Sequence, residues 1–351
     1  MYLDRKMIIQ HSTNGEKIYA CLMAGAMGDA LGYTIEFMDY PSIQKKYGSS
    51  GICDLALRRE KALISDDTQM TLFTNDAMVR AYWRCTERGI RAPIEHYVYR
   101  GYLCWLETQG FVSDKKGWFS ELNGVPALNH RRAPGNTCLS ALASGKMGTM
   151  EEPINNSKGC GGVMRAAPLG FDPRWGNPLE NGAKCAATTH GHPMGWVPAG
   201  MLSDIVYKAI YCEYQDLEIL IKDAFSDLKA TYGHITGFAE FEDMIHQAIR
   251  LSHEDTADAA AIHTIGRGWV GDEALAIAVY CCLKHRNDLK ACLISAVNHS
   301  GDSDSTGAIA GNILGAWLGG AAIPKDWEEK TELSEVIRDQ AAAMVYCLCN
   351  D

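Results

Sequence analysis

The stretch Gly301-Asp-Ser-Asp-Ser-Thr-Gly-Ala-Ile-Ala-Gly-Asn-Ile-Leu-Gly-Ala-Trp-Leu-Gly-Gly320 joins an acidic turn to a run of small and apolar residues. Its glycines recur every four residues, at Gly307, Gly311, Gly315 and Gly319. Glycine inside a helix costs about 1 kcal/mol relative to alanine, so a helix that repeats it usually gains close contact with another backbone. The pattern predicts a central buried helix. A membrane span is disfavoured, because the apolar run contains Asn312 and is shorter than the ~20 residues that a bilayer requires.

A second small-residue stretch, with Gly25, Gly28 and Gly32, predicts another central helix. Apolar residues at helical spacing predict further helices at 68–84, 93–110, 217–232, 238–251, 273–284, 289–297 and 327–349. No segment shows the sustained alternation that is typical of a strand. There is no Pro/Ser-rich linker or repeat, so we expect one compact all-α domain over residues 16–351. Residues 1–15 are interpreted as an N-terminal extension, either a loose chain end or a segment that binds a partner protein.

Composition narrows the class of protein. The chain has 351 residues, 47% of them hydrophobic, and a net charge of −10. An acidic surface argues against binding to nucleic acid or to anionic membranes. The 13 cysteines have no regular spacing and are interpreted as reduced, mostly buried residues. The N-terminus lacks the apolar run of a secretory signal, which favours a cytoplasmic protein.

Two acidic motifs are candidates for chemistry. Ser65-Asp-Asp-Thr68 and Asp302-Ser-Asp-Ser-Thr306 each place hydroxyls and two carboxylates where a loop meets a helix. One interpretation is helix capping, since Ser and Asp are preferred N-cap residues. The other is a site for hard cations such as Mg²⁺, which prefer oxygen ligands. Each motif carries more carboxylates than a cap needs, and Glu36 adds a third acidic group in an apolar stretch. These features favour the metal site.

Three other segments suit an anionic, ribose-bearing ligand. Gly159-Cys-Gly-Gly162 precedes Val163-Met-Arg165, and a helix beginning there would offer free N–H groups to a diphosphate. His190, in Thr-His-Gly-His-Pro, is either a ligand contact or a structural histidine. Trp269 follows two glycines and could stack on a base or ribose, or simply be buried.

The order of these motifs resembles the ADP-ribosylglycohydrolase family. It comprises Gly28-Asp-Ala-Leu-Gly32 with Glu36, Ser65-Asp-Asp-Thr68, Gly159-Cys-Gly-Gly-Val-Met-Arg-Ala-Ala-Pro168, Thr189-His190, Gly268-Trp-Val270 and Gly301-Asp-Ser-Asp-Ser-Thr306. The resemblance runs from about Gly25 to Gly320. It implies an all-α fold with a central cleft that holds two Mg²⁺ ions, with Mn²⁺ as an alternative.

The resemblance also assigns roles to residues. It implies that the metal ligands are Ser65, Asp66, Asp67, Asp302, Asp304 and Ser305. Glu36, Asp66, Asp67 and Asp304 become the catalytic candidates, with Glu36 or Asp67 accepting the proton of the attacking water. The implied contacts with ADP-ribose are Gly159, Gly161, Gly162, Val163, Met164 and His190, with Trp269 in another wall of the cleft.

One position departs from the family pattern. Several members place a catalytic Asp before a Gly-x-Thr turn, and the corresponding segment here is Arg131-Arg-Ala-Pro-Gly-Asn-Thr137. Ala133 stands where that carboxylate would be. Either another acid, with Glu36 as the candidate, takes its role, or the substrate differs.

The expected activity is metal-dependent removal of ADP-ribose from modified protein side chains, most of all arginine. Serine-linked and O-acetyl-ADP-ribose substrates stay open, as does a protein that binds ADP-ribose without cleaving it or serves a structural role. An all-helical metal phosphohydrolase would use an adjacent His-Asp pair, and no histidine of this chain is followed by aspartate.

Overall fold

Fifteen α-helices make up most of the computed structural model, which describes residues 12–114 and 117–350. Within these ranges only isolated β-bridges occur, and no strand. The helices are α1 (Thr13–Tyr33), α2 (Tyr40–Tyr47), α3 (Asp66–Arg88), α4 (Ile94–Thr108), α5 (Asn136–Ala143), α6 (Pro178–Ala187), α7 (Pro193–Tyr211), α8 (Leu217–Tyr232), α9 (Phe238–Ser252), α10 (Asp258–Ile265), α11 (Gly271–Lys284), α12 (Leu289–Val297), α13 (Ser303–Leu318), α14 (Lys325–Lys330) and α15 (Ser334–Cys349). The predicted all-α fold is confirmed.

Helices α1 and α13 form the centre of the domain, as their glycines predicted. A Cβ atom added at Gly28 would lie 2.0 Å from the carbonyl oxygen of Gly307, and one at Gly311 would lie 2.1 Å from that of Ala24. Any side chain at these positions would therefore force the two backbones apart. The same close approach continues at Gly32, where a Cβ would lie 2.3 Å from the Ser303 oxygen. The end of α1 consequently lies directly against the start of α13.

The other helices surround this pair. Helices α7, α11 and α12 pack on α13, while α15 packs on α1. The side chain of Asn312 is buried in the contact and donates a hydrogen bond to the Cys21 carbonyl oxygen at 2.9 Å. No helix among the described residues is long and apolar enough to cross a membrane. Most of the 13 cysteines are buried, as expected.

Some predicted elements differ from the structure. The helix expected over 327–349 is two helices, α14 and α15, separated by a short break in which Leu333 has a φ of 63°. Helices α6 and α7 were not individually predicted, because each begins with proline and α7 also contains Pro198. Proline is tolerated in the first turn of a helix, where its missing N–H would have no partner.

The first helix begins inside the predicted N-terminal extension. Ser12 caps it, accepting a hydrogen bond from the Gly15 amide at 3.2 Å, so residues 13–15 belong to α1. The remainder of the extension, residues 1–11, lies outside the described residues. The suggestion that this segment binds a partner protein stays a prediction.

Candidate metal centre

Three buried carboxylates meet where α1 ends and α13 begins. Glu36 lies in the turn after α1, while Asp302 and Asp304 lie at the first residues of α13. One carboxylate oxygen of each lies within 4.8 Å of the other two. The glycine-mediated contact between the two helices produces this meeting, because it places Gly32 against Ser303.

The first turn of α3 adds Asp66 and Asp67 to this group. Burial and the negative charge of Asp304 raise the pKa of both aspartates well above the ordinary range. The loop of residues 132–135 holds Asp66 in place. The backbone N–H of Asp66 donates to the Arg132 carbonyl oxygen at 2.9 Å, and the Asp66 carboxylate accepts from the Gly135 N–H at 3.3 Å. The structure thus brings both acidic motifs together, and we call Glu36, Asp66, Asp67, Asp302 and Asp304 the acidic cluster.

Helix capping does not account for the carboxylates of α3. The side chain of Ser65 accepts a hydrogen bond from the Asp67 N–H at 3.2 Å. The amides of Ser65 and Thr68 donate instead to the carboxylate of Asp29, at 2.9 and 3.0 Å. Ser65 and Asp29 therefore cap the helix, and Oδ1 of Asp67 is buried without a hydrogen-bond partner.

Sequence reasoning missed Asp29. This wholly buried residue lies on α1 and also accepts a hydrogen bond from the Thr68 hydroxyl at 2.5 Å. Burial and the charge of Asp304 raise its pKa to about 7. The available signal was a single carboxylate in the otherwise uncharged stretch of 18–35, in the middle of a small-residue helix.

The acidic cluster fits a divalent cation. Among the described residues, none of its carboxylates forms a salt bridge, and Arg132, on the adjoining loop, pairs with Glu332 instead. Besides Asp67, Glu36 has a buried oxygen, Oε2, without a partner. Burying several carboxylates together without a countercharge is costly, so binding of a positive ion would be favourable here. A donor set made of carboxylate oxygens suits a hard cation such as Mg²⁺.

The Gly159–Gly162 loop borders the acidic cluster, although not in the predicted form. The Cys160 thiol donates to the Asp302 carboxylate at 2.7 Å, and the Ser305 hydroxyl contacts the same sulfur at 3.6 Å. The expected helix after the loop is wrong, because the segment forms 3-10 turns at Cys160–Gly162 and Ala167–Gly170. Pro168 interrupts any longer helix there. Val163 and Met164 are buried behind the loop.

His190 and the backbone of Trp269 both lie next to that loop. A Cβ atom at Gly161 would lie 3.3 Å from Nε2 of His190, so the glycine leaves space beside the ring. The carbonyl oxygen of Trp269 accepts a hydrogen bond from the Cys160 N–H at 3.3 Å. Its indole, which is 41% exposed, stacks on Phe37 with ring centroids 6.0 Å apart. The loop thus contacts the acidic cluster through Cys160 and lies beside His190 and the Trp269 backbone.

The fold and the cluster together define an all-helical protein with a buried acidic site suited to a hard cation. The model of the ADP-ribosylglycohydrolase family matches residues 10–349, and the chain belongs to this family. An uncharacterised protein of Archaeoglobus fulgidus is 26% identical over 340 residues, covering 94% of this chain and 96% of its own length. The ADP-ribosyl-[dinitrogen reductase] glycohydrolase of Rhodospirillum rubrum is 25% identical, covering 91% and 92%.

Two further relatives agree with this assignment. The ADP-ribosylhydrolase ARH3 of Gallus gallus is 23% identical and covers 93% of this chain and 92% of its own length. A solved structure of an ADP-ribosylglycohydrolase-related protein complex has the same fold, with a TM-score of 0.61, 19% identity and coverage of 95% and 98%. Membership of the family supports an ADP-ribosyl hydrolase activity.

Proposed function

We propose that the protein is a cytoplasmic, metal-dependent hydrolase that releases ADP-ribose from modified arginine side chains of proteins. The observation that carries the proposal is the acidic cluster, five buried carboxylates with two unpartnered oxygens and no salt bridge among the described residues. The ligands of two Mg²⁺ ions, or alternatively Mn²⁺, would be Ser65, Asp66, Asp67, Asp302, Asp304 and Ser305. Bound cations of this kind lower the pKa of water and orient hydroxyl groups of a substrate.

The side chains of this protein then have separate tasks. Glu36 presents its unpartnered Oε2 at the edge of the acidic cluster and accepts the proton of the water that attacks the anomeric carbon. Ala133, which lies between the two residues of the loop that contact Asp66, has no carboxylate to share this task. The Gly159–Met164 loop and His190 bind the ADP-ribose itself. Asp29 keeps the first turn of α3, and with it Asp66 and Asp67, in place.

The aromatic pair Phe37 and Trp269 supports arginine as the linkage. Phe37 directly follows Glu36 and is 76% exposed, and the two rings are inclined by only 19°. A flat guanidinium group stacks favourably on such rings, and nearby carboxylates add to the attraction for a cation. A serine or acetyl leaving group offers neither charge nor a planar surface. The name of the Rhodospirillum rubrum relative, which acts on dinitrogen reductase, is compatible with a protein substrate.

A panel of substrates tests this proposal. We expect peptides with arginine-linked ADP-ribose to be hydrolysed faster than serine-linked peptides or O-acetyl-ADP-ribose. Trp269→Leu should raise KM for the arginine-linked peptide by roughly 2- to 30-fold, since one cation–π contact contributes roughly 0.5–2 kcal/mol. Trp83→Leu is the matched control. Trp83, on α3, is exposed to a similar degree as Trp269, and its ring stacks on that of Tyr346, on α15, with centroids 5.7 Å apart. Preference for another linkage, or equal KM values for the two variants, would refute arginine specificity. Tight binding of ADP-ribose without any hydrolysis would identify a binding protein instead.

A second prediction concerns stability and pH. Burial raises the pKa values of Asp67 and Asp302 well above the ordinary range. A carboxyl group whose pKa is higher in the folded than in the unfolded state stabilises the folded state while it is protonated. The metal-free protein therefore loses stability as the pH rises above about 4, the pKa of aspartate in an unfolded chain. A cation that binds only the folded state reverses this loss and competes with protons. We expect excess MgCl₂ to raise Tm by roughly 3 °C or more near pH 8 and by much less near pH 5. NaCl at equal ionic strength is the control, and equal shifts at both pH values would argue against the site.

A further inference from the structure

Arg165 is a buried cation outside the acidic cluster. Its side chain is wholly inaccessible to solvent, and among the described residues it forms no salt bridge. The guanidinium carbon lies 4.1 Å from the centre of the Tyr102 ring. Its N–H groups donate to Cys138 Sγ at 3.1 Å and to the Thr189 hydroxyl oxygen at 2.5 Å. Burial of an arginine among neutral groups is costly, so this arrangement suggests a specific task.

The hydrogen bond between Arg165 and Thr189 has a fixed direction. A guanidinium group has only donors, so the Thr189 oxygen must accept from Arg165. The single hydroxyl hydrogen can then go to Nδ1 of His190, at 2.9 Å, or to the Ala186 carbonyl oxygen, at 3.4 Å. The shorter contact is the better hydrogen bond, since typical O–H donors lie 2.5–3.0 Å from their acceptors. This geometry favours Nδ1 of His190 as an acceptor that carries no proton.

The remaining nitrogen of His190 then carries the ring proton. A histidine with unprotonated Nδ1 is neutral and has its hydrogen on Nε2. Nε2 has no hydrogen-bond partner among the described residues, and it faces the glycine loop: Cβ atoms at Gly159 and Gly161 would lie 3.6 and 3.3 Å from it. Burial, with the nearby positive charge of Arg165, lowers the pKa of His190 to about 3, which keeps the ring neutral at physiological pH.

We propose that Arg165 and Thr189 are positioning residues that fix His190 as a neutral Nε2–H donor to an oxygen atom of ADP-ribose. ADP-ribose presents acceptors throughout, in its diphosphate and its ribose rings, so a permanent donor beside the glycine loop suits it. The positive charge of Arg165 disfavours a proton on Nδ1 of His190. Thr189 connects the two residues, because it accepts a hydrogen bond from Arg165 and donates one to Nδ1. The identity of the ligand rests on the proposed function, whereas the tautomer of His190 does not.

Nitrogen NMR on histidine-labelled protein tests the tautomer directly, with the His190 signal assigned by comparison with His190→Gln. We expect the protein without substitutions to show a protonated Nε2 and an unprotonated Nδ1. Thr189→Val, which removes the hydroxyl at nearly constant volume, should give a mixture of tautomers. Thr189→Ser, which keeps the hydroxyl, should restore the original pattern.

Affinity for ADP-ribose, measured by calorimetry, gives the second readout. Thr189→Val should weaken binding by up to about tenfold, the effect of one hydrogen bond, while Thr189→Ser stays within about twofold. An Nδ1–H tautomer in the unsubstituted protein overturns the proposal, and this result needs no variant to fold. Equal tautomers and affinities for the valine and serine variants also overturn it. If the tautomer is as proposed but no ADP-ribosyl linkage is hydrolysed, the positioning role stands and the proposed function fails.

Discussion

Asp304→Asn is expected to reduce hydrolysis of an ADP-ribosylated substrate by well over 100-fold, because even outer-shell changes at metal sites commonly cost ~10–100-fold. Asp304 is buried within 4.8 Å of Glu36 and Asp302, and its charge acts on most of the acidic cluster. Asparagine has the same size, and its remaining oxygen can still accept the hydrogen bond from the Ser305 N–H, which Asp304 accepts at 3.0 Å. The fold should therefore persist, as judged by circular dichroism. Asp66→Asn is expected to behave in the same way.

A buried aspartate outside the cluster provides the matched control. Oδ2 of Asp204, on α7, lies 3.5 Å from Nζ of Lys208, and Asp204 is buried to a similar degree as Asp304. We expect Asp204→Asn to keep a near-normal kcat. If Asp304→Asn and Asp66→Asn both retained near-normal turnover while folded, the assignment of the acidic cluster to catalysis would be wrong.

Gly311→Ala is expected to lower the free energy of unfolding by about 3 kcal/mol or more, at the upper end of the range for overpacked cores. The added Cβ would lie 2.1 Å from the carbonyl oxygen of Ala24 and 2.4 Å from its carbon. These are backbone atoms, so relief requires α1 and α13 to separate. Because the same contact holds the ends of α1 and α13 together at the acidic cluster, we expect activity to fall as well.

Gly124→Ala is the control for this substitution. A Cβ atom at Gly124 would meet no heavy atom within 4 Å, and the residue has no positive φ. Its effect on unfolding in urea should stay within about 0.5 kcal/mol, as for most surface changes. Equal effects of the two substitutions would show that the close helix contact contributes little to stability.

Patterns within one segment were enough to predict the central part of the fold. The glycine spacing identified α1 and α13, and the two acidic motifs identified four of the five cluster residues. Whether the two acidic motifs meet depends on which helices are in backbone contact. The glycine spacing predicted that contact only indirectly. Glu36 was recognised because a carboxylate stands out in an apolar stretch.

Features that depend on tertiary contacts could not be predicted. Asp29 looks like part of a small-residue helix, and its capping role becomes visible only when α3 begins beside it. The pairing of Phe37 with Trp269 joins residues more than two hundred positions apart in the sequence. Helix α7 contains prolines and glycines that locally favour a turn, yet its residues are almost all buried, so tertiary packing overrides the local preference. The break before α15 likewise has no clear signal in the sequence.

The most direct test of the account is release of ADP-ribose from an arginine-linked peptide before and after removal of metal. The protein is dialysed against a chelator, its metal content is checked by elemental analysis, and turnover is measured again after MgCl₂ or MnCl₂ is added. We expect turnover to fall to background in the metal-free protein and to return when either cation is restored. Undiminished turnover by protein shown to be free of metal would contradict it.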